Sequence, residues 1–441
     1  MPLTLLRYGL SGKYPARRQF TETKPLKRHY DLVIIGAGGH GAAIAYYLAK
    51  YHNITNVALL DKGYLGGGNT ARNTAVIRSN YLTEAGVKFY RESVQLYQNL
   101  SNELDYNVMM ENRGQLTLAH SDSAIRSFRW RAEVNKHLGV RSELVDVQTI
   151  KELVPQLRIS DEARFPIMAG LWHADGATAR HDAVVWGYAS GACSRGVELH
   201  QLTEVTGIKT SGNRVTAVET NRGTVECGMA VQAVAGASSV VADMAGIRLP
   251  IHSFPLQAMV TQPYKPLLTP HVSSPHLHVY VHQTSRGEFV IGGGSDPYPL
   301  YNTRATLDMQ ESLAAATLEL FPFLAQAKLM RQWAGTTDMT PDYSPIMGKS
   351  PLDNYYLDAG WGTWAAAVWQ AAGNALFGYA AWGWLLGRYP AATVTPMALL
   401  VPVFGMSASA VLLSEPMPWW KLLAMALIFA GLALNTLDAR R

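Results

Sequence analysis

The stretch His29-Tyr30-Asp31-Leu32-Val33-Ile34-Ile35, then Gly36-Ala37-Gly38-Gly39-His40-Gly41, then AAIAYYLAKYH (residues 42–52), decides the fold. The opening run reads as a short buried strand and the closing run as a helix. A second strand, Asn56 to Leu60, ends in Asp61. Strand, GxGxxG turn, helix, strand and acid in this order form a dinucleotide-binding unit. Gly36 makes the tight turn, Gly38 lets the backbone approach a pyrophosphate, and Gly41 lets helix and strand pack closely. The helix N-terminus offers N–H groups and positive dipole to the phosphates. Asp61 lies about 20 residues beyond Gly41, where a carboxylate reaches a ribose hydroxyl. Gly39 and Lys62 belong to the same expected contact set, and His40 reads as a packing and hydrogen-bonding residue.

The unit alone does not separate FAD from a nicotinamide cofactor, but the segments after it do. Gly66-Gly67-Gly68-Asn69-Thr70-Ala71-Arg72-Asn73 is a second donor-rich loop directly after the ribose acid. Gly68, Asn69, Arg72 and Asn73 are its expected cofactor contacts. Strands around Glu204–Ile208 and Val215–Glu219 precede Met229–Val234, which runs into Ala235-Gly236-Ala237-Ser238. This is another strand-to-helix turn, with Gly236 at its tip. Several separate contact segments suit the long, extended FAD.

Composition narrows the rest. With 441 residues the chain has length for two or three units at about 150 residues each. A hydrophobic content of 48% can fill a large core and excludes wholesale disorder. Two cysteines exclude a disulfide framework and a cysteine-rich metal site. The net charge of +5 carries no basic run dense enough for a nucleic-acid footprint. Residues 1–28 form a basic arm, either solvated or tethered to a partner, and no apolar signal core follows it. The body is therefore expected in the cytoplasm.

Four segments resemble one family closely: HYDLVIIGAGGHGAAIAYYLAK (29–50), GGGNTARNTAVIRSNY (66–81), GATARHDAVVWGYA (176–189) and PLDNYYLDAGWGT (351–363). They resemble the beta subunits of heterotetrameric sarcosine oxidases, among the flavoproteins of the glycine-oxidase and amino-acid-oxidase type. The resemblance covers roughly residues 25–363. It implies an α/β FAD-binding Rossmann-type fold interleaved with an antiparallel-sheet substrate domain. FAD-binding segments are expected at about 29–80, 150–250 and 330–363, and the substrate domain at about 81–149 and 251–329. The implied reaction oxidises sarcosine, with electrons passing from FAD to FMN and on to oxygen. Alpha, gamma and delta partner subunits are implied with it.

Within that resemblance His181, in Ala179-Arg180-His181-Asp182, matches the family's point of covalent FMN attachment where a helix begins. A neutral imidazole is nucleophilic near pH 7, and Arg180 beside it favours anionic groups. Arg78, in VIRSNY, matches the arginine that grips the substrate carboxylate, and a guanidinium suits that role through two parallel hydrogen bonds. His252, His276, His278 and His282 are candidates to assist amine oxidation. The sequence does not choose among them, and His276–Val281 reads as a substrate-domain strand. No cysteine lies near Thr340–Met347, so FAD is expected to be non-covalent. Gly360 is the last expected FAD contact.

After Gly360-Trp361-Gly362-Thr363 the family continues with GGFKGTP, whose glycines close over the flavin and whose lysine serves substrate and oxygen chemistry. This chain continues Trp364-Ala365-Ala366-Ala367-Val368-Trp369 and lacks that lysine. Of its 38 Lys and Arg and 33 Asp and Glu, only Arg388, Glu415, Lys421, Asp438, Arg440 and Arg441 fall in residues 365–441. Ala365–Leu386, Val394–Leu413 and Trp419–Leu437 are each long enough to span a hydrocarbon core of about 30 Å. Residues 375–416 resemble the end of an EamA-type drug/metabolite exporter, of which about three helices are present. An all-α transmembrane tail over 364–441, in the inner or plasma membrane, is therefore expected. The positive-inside bias places Arg388, Arg440 and Arg441 in the cytoplasm, which three spans cannot reconcile with a cytoplasmic body. The abrupt join reads as a gene-level chimera. Two other readings are a membrane-anchored flavin dehydrogenase and a transporter fragment with a passenger domain. The tail holds no histidine to ligate a haem.

Overall fold

The computed structural model describes residues 24–341 and 345–357, together with Leu10, Ser11, Trp419, Leu422, Leu423, Ala426 and Leu427. The chain divides into two units, residues 1–360 and 361–441. The first unit opens with β1 (His29–Ile35), α1 (Gly39–His52), β2 (Val57–Leu60), β3 (Val76–Ile77), α2 (Glu84–Glu103), β4 (Glu111–Asn112) and β5 (Gln115–Ala119). It continues with α3 (Asp122–His137), β6 (Ser142–Val145), α4 (Val147–Leu153), β7 (Ala169–His173), β8 (Ala177–Thr178), α5 (His181–Cys193) and β9 (Glu198–His200). Then come β10 (Val205–Ser211), β11 (Arg214–Thr220), β12 (Gly223–Gln232), α6 (Ser238–Asp243), β13 (His252–Pro263), β14 (His271–Ser274) and β15 (Val279–Gln283). The last elements are β16 (Glu288–Ser295), α7 (Leu307–Leu320), β17 (Leu329–Met339), β18 (Gly348–Lys349) and β19 (Tyr355–Leu357).

The first sheet runs β10-β11-β12-β1-β2-β9, with β19 beside β12 and β18 beside β19. β1 lies at its centre, parallel to β2 and to β12. A strand flanked on both faces needs apolar residues at successive positions, and Leu32 to Ile35 are all buried. Leu32 and Ile34 point into a core with Ala42, Ala45 and Tyr46 of α1 and Val185 and Ala189 of α5. Tyr30, Val33 and Ile35 join Val218, Val225 and Tyr355 on the opposite face. Helices α2, α3 and α4 begin where Thr83, Ser121 and Asp146 accept hydrogen bonds from Gly86, Ala124 and Thr149 N–H. Such caps satisfy N–H groups that have no partner within the helix.

The second sheet runs β17-β13-β16-β15-β14-β5-β7-β6, antiparallel except for the β14–β5 pair. One face carries Met259, Val281, Phe289 and Ile291, covered by Leu313 and Leu320 of α7. The opposite face is closed at the β5–β7 end by Phe128 and Ala132 of α3, packed on Ala119 and Leu171. A small sheet β3-β8-β4 ties residues 76–77 to residues 177–178. It brings the end of the donor-rich loop to the start of α5, with Ala179 N–H donating to the Ala75 carbonyl at 3.1 Å.

The interleaving differs from the expected segment limits in two places. β7, inside the expected FAD segment 150–250, pairs with β5 and β6 of the second sheet. β17, inside the expected segment 330–363, is that sheet's edge strand and pairs with β13 from Met339↔His252 to Leu329↔Thr261. Long-range antiparallel pairing with β13 fixes β17 there. Likewise His276, Leu277 and His278 do not lie in a strand. They form the turn between β14 and β15, with His278 at φ 49°. Among the described residues no helix is long and apolar enough to cross a membrane. The expected spans and Gly360 lie outside the described residues, apart from the isolated tail positions named above.

Candidate flavin and substrate site

The glycine turn has the shape its sequence demands. Gly36 adopts φ +102°, and a Cβ there would lie 2.4 Å from the Ala233 carbonyl oxygen. A Cβ on Gly41 would lie 1.9 Å from the Gly36 carbonyl oxygen, so helix and strand meet only through glycine. Gly38 differs, because its Cβ would meet only Thr70 Oγ1, at 3.2 Å. Gly38 is the N-cap of α1 and gives it no side-chain cap. The helix N-terminus is thus free of a cap from its own N-cap residue, the geometry by which a pyrophosphate is approached. Gly39 N–H is engaged, donating to Thr70 Oγ1 at 2.9 Å. Asp61 accepts from Ala37 N–H at 2.9 Å and Gly63 N–H at 2.8 Å, which holds its carboxylate at the end of β2 beside the turn. Lys62 and His40 are exposed. These features fit FAD.

The donor-rich loop is fastened to β17. Asn69 donates to the Thr336 carbonyl at 2.7 Å and accepts from Thr336 N–H at 2.9 Å and Oγ1 at 3.0 Å. Trp333 Nε1 donates to the Arg72 carbonyl at 2.8 Å. Arg72 donates to the Gly67 carbonyl and, at 2.8 Å, to that of Gly68, so its guanidinium shapes its own loop. Asn73 donates to the Thr70 carbonyl and accepts from Ala75 N–H. Gly68 has open space where a Cβ would stand. Gly236 has none, because a Cβ there would lie 2.1 Å from Thr336 Oγ1. Its place in the fold is the close approach of β17. The sequence reading missed Trp333 and Thr336 as partners of this loop, since β17 lies some 260 residues away along the chain.

A cavity of about 580 Å³ opens between this loop, the start of α5 and the second sheet. Arg72, Asn73, His181, His282, Val290 and Trp333 are among its walls. The structure thus joins the expected FAD loop and the expected FMN residue in one space. His181 begins α5, as expected, and its Nδ1 is buried with no hydrogen-bond partner. Burial, reinforced by the Arg180 charge and opposed by Asp182, holds its imidazole toward the neutral form. Arg180 is not a free cation, since it donates to both oxygens of Asp182, at 2.9 and 2.5 Å. The walls also carry Arg286, Arg304 and Arg331 against the single carboxylate Glu288. Among the described residues no ion pair engages Arg304 or Arg331. An excess of guanidinium groups around one cavity suits a phosphate-bearing ligand.

Arg78 does not line that cavity. It is half-buried, with its guanidinium 4.5 Å over the Tyr81 ring, and among the described residues no ion pair engages it. Its charge acts on His271 and His173. Of the four candidate histidines, His252, His276 and His278 are exposed. Only His282 is buried and reaches the cavity. The sequence reading missed His271 and His173. Their signal is register, because Gln115 pairs with both His271 and His173, and His173 pairs with Ser142. His173 Nδ1 donates to the Arg141 carbonyl at 2.9 Å, and its Nε2 accepts from Ser79 N–H at 3.3 Å. The ring pins the residue next to Arg78.

Residues 31–376 match the FAD dependent oxidoreductase (DAO) family. Residues 348–437 match the EamA-like transporter family, so the two matches overlap over residues 348–376. The sarcosine oxidase subunit beta of Rhodobacter capsulatus is 46% identical over 337 residues, 76% of this chain and 81% of the relative. That of Rhizobium meliloti is 45% identical over 362 residues, 81% of this chain and 86% of the relative. Among solved structures, L-proline dehydrogenase from P. horikoshii superposes with a TM-score of 0.71 at 29% identity, covering 79% of this chain and 93% of its own. Glycine oxidase from Geobacillus kaustophilus, at 21% identity and a TM-score of 0.69, covers 76% of this chain and 90% of its own and shares the fold. The glycine turn, the loop fastened to β17 and these matches agree: the chain belongs to the DAO family of FAD-dependent oxidoreductases and, within it, to the sarcosine oxidase beta subunits.

Proposed function

We propose that the chain oxidises sarcosine to glycine and a one-carbon unit with formation of hydrogen peroxide, using non-covalent FAD and an FMN attached to His181. The observation that carries this reading is the placement of His181. A neutral imidazole with a buried, unpartnered nitrogen stands at a helix start, on the wall of an arginine-rich cavity next to the FAD loop. When bound, the two flavins supply the hydride acceptor and the onward carriage of electrons to oxygen. The chain's own residues bind and orient. Gly36, Gly38, Gly41 and Asp61 shape the pyrophosphate and ribose site, and Asn69 holds the loop that covers it. Arg304 and Arg331 balance phosphate charge, and Arg78 takes the substrate carboxylate.

Alpha, gamma and delta subunits complete the enzyme, and the body works in the cytoplasm. Residues 364–441 are an EamA-like membrane tail joined where the family carries its GGFKGTP ending, and loss of that lysine impairs turnover. The EamA match also supports a second reading, in which the tail anchors a flavin dehydrogenase to a membrane. The test is peptide mass mapping of protein co-expressed with its partner subunits. The peptide containing His181 is expected to carry the mass of FMN, and His181→Asn to lose it while keeping FAD. An unmodified peptide from protein holding two flavins contradicts the assignment.

A further inference from the structure

The turn that follows β12 stands beside the glycine turn, and it is strained. Its Ala233 carbonyl oxygen is the atom that a Cβ on Gly36 would meet, at 2.4 Å. The turn therefore lies at the carboxyl ends of the parallel strands, where a dinucleotide runs. Ala235 adopts φ 47°, a left-handed conformation that a residue with a Cβ keeps only where its surroundings hold it. Gly236, next to it, is pressed against Thr336 of β17, whose hydroxyl also bonds Asn69 of the donor-rich loop. Ser253 of β13 holds the turn from outside, with its Oγ 3.2 Å from the Gly236 carbonyl oxygen.

The same hydroxyl lies 2.7 Å from Asp338 Oδ1. The two side chains meet because Ser253 and Asp338 pair across β13 and β17. A serine hydroxyl has one hydrogen to give, while a carbonyl and an ionised carboxylate only accept. With Asp338 ionised, Ser253 turns to the nearer, charged acceptor and leaves Gly236. Both contacts are made when Asp338 carries a proton and donates it to Ser253 Oγ, while Ser253 donates to Gly236. Burial pushes the Asp338 carboxyl up, against the Ser253 contact, which favours its charged form. The surrounding elements carry His252 on β13, Asp243 on α6, Arg331 on β17, Arg72 on the donor-rich loop, and Asp296 and Arg304 on the loop after β16. None of these governs its acidity, which burial and Ser253 set.

We propose that Asp338 is the proton-bearing residue of the FAD site. It donates to Ser253, Ser253 donates to the Gly236 carbonyl, and this relay holds the strained turn in the shape that takes the cofactor. FAD then binds together with one proton, drawn from solvent onto the Asp338 carboxylate. This rests on the FAD reading above, and Asp338 and Ser253 are positioning residues. With the turn locked, ionising Asp338 costs more in the complex than in the apoprotein, so its carboxyl is the weaker acid in the complex. Over the pH range between the two acidities, binding takes up a proton and affinity falls as pH rises.

The test strips FAD from the full chain and follows its rebinding by flavin fluorescence from about pH 5 to 8. Calorimetry in two buffers of different ionisation enthalpy counts the protons. The wild-type dissociation constant is expected to rise about tenfold across that range, the worth of one buried hydrogen bond, with proton uptake on binding. Asp338→Asn has an amide N–H that donates to Ser253 at every pH. It should bind at the alkaline end as tightly as the wild type does at the acid end, and take up fewer protons. Ser253→Ala should bind weakly throughout, with the pH step gone. A wild-type constant that does not change with pH overturns the proposal, and so does a step that survives in either variant. Weak binding by Asp338→Asn at acid pH also overturns it. If Asp338→Asn does not fold, Ser253→Ala decides alone. A wild-type chain that takes up no FAD at any pH brings down the FAD reading itself, and this proposal with it.

Discussion

Alanine at Gly38 and at Gly41 separates the cofactor's demand on the glycine turn from the fold's own. At Gly41 the new Cβ would lie 1.9 Å from the Gly36 carbonyl oxygen and 3.1 Å from its carbon, both backbone atoms with nowhere to retreat. Helix α1 must lift from β1, and overpacking of this kind costs about 3 kcal/mol. At Gly38 the Cβ meets one hydroxyl at 3.2 Å, and φ −81°, ψ −172° is a conformation alanine adopts freely. The apoprotein should stay within about 1 kcal/mol of wild type, helped by the reduced freedom of the unfolded chain. The same methyl stands where a pyrophosphate must touch the backbone. FAD at one hundred times its dissociation constant should stabilise the wild type by about 2.7 kcal/mol. Gly38→Ala should lose most of that increment. Urea midpoints with and without FAD, together with acid-released flavin, measure both quantities. Wild-type FAD occupancy in Gly38→Ala would refute the placement of the pyrophosphate. Equal destabilisation of the two apoproteins would refute the claim that Gly41 is the packing glycine.

Other outcomes follow from particular contacts. Asn69→Ala removes three hydrogen bonds to Thr336 and should cost about 1–3 kcal/mol, read as a lower urea midpoint, with faster FAD loss. The buried His282 sets a pH dependence. Its imidazole takes a proton below about 6.5 in the unfolded chain but only below about 4 in the folded one. The unfolded state therefore binds more protons in that window, and stability rises with pH. The contribution of this one group is about 1.4 kcal/mol per pH unit between pH 4 and 6.5, and none above. Urea midpoints across that range should be visibly flatter in His282→Asn, and an unchanged slope would show that His282 is not held neutral.

How much of this could be read from the sequence depended on the distance between interacting residues. The unit β1–α1–β2 is local, and its strand, turn, helix and acid stand in the expected order because each signal lies within a few residues of its effect. His181 at a helix start was likewise legible from its neighbours. The buried row of His282, His271 and Gln115 was not. His282 and His271 meet only through the register of β14 on β15, and Gln115 joins them through the single parallel pair of a largely antiparallel sheet. Nothing in the spacing of residues 115, 173, 271 and 282 announces that row. His276–Val281 read as a strand, yet a turn with His278 at positive φ takes the first half. Arg180 read as a residue favouring anionic groups beside His181, whereas its guanidinium donates to both carboxylate oxygens of Asp182.

The central claim is that this chain oxidises sarcosine at a flavin. The direct measurement is anaerobic addition of sarcosine to the full chain, loaded with FAD and purified with its partner subunits, while flavin absorbance is recorded. A parallel preparation carries the family's GGFKGTP ending in place of residues 364–441. The account predicts bleaching by sarcosine but not by glycine, slow in the natural chain and faster with the restored ending, because a cation placed for substrate chemistry is worth a few kcal/mol of barrier, about a hundredfold or more in rate. Flavin that stays oxidised in both preparations would contradict the account, and equal rates in the two would remove the role given to the missing lysine.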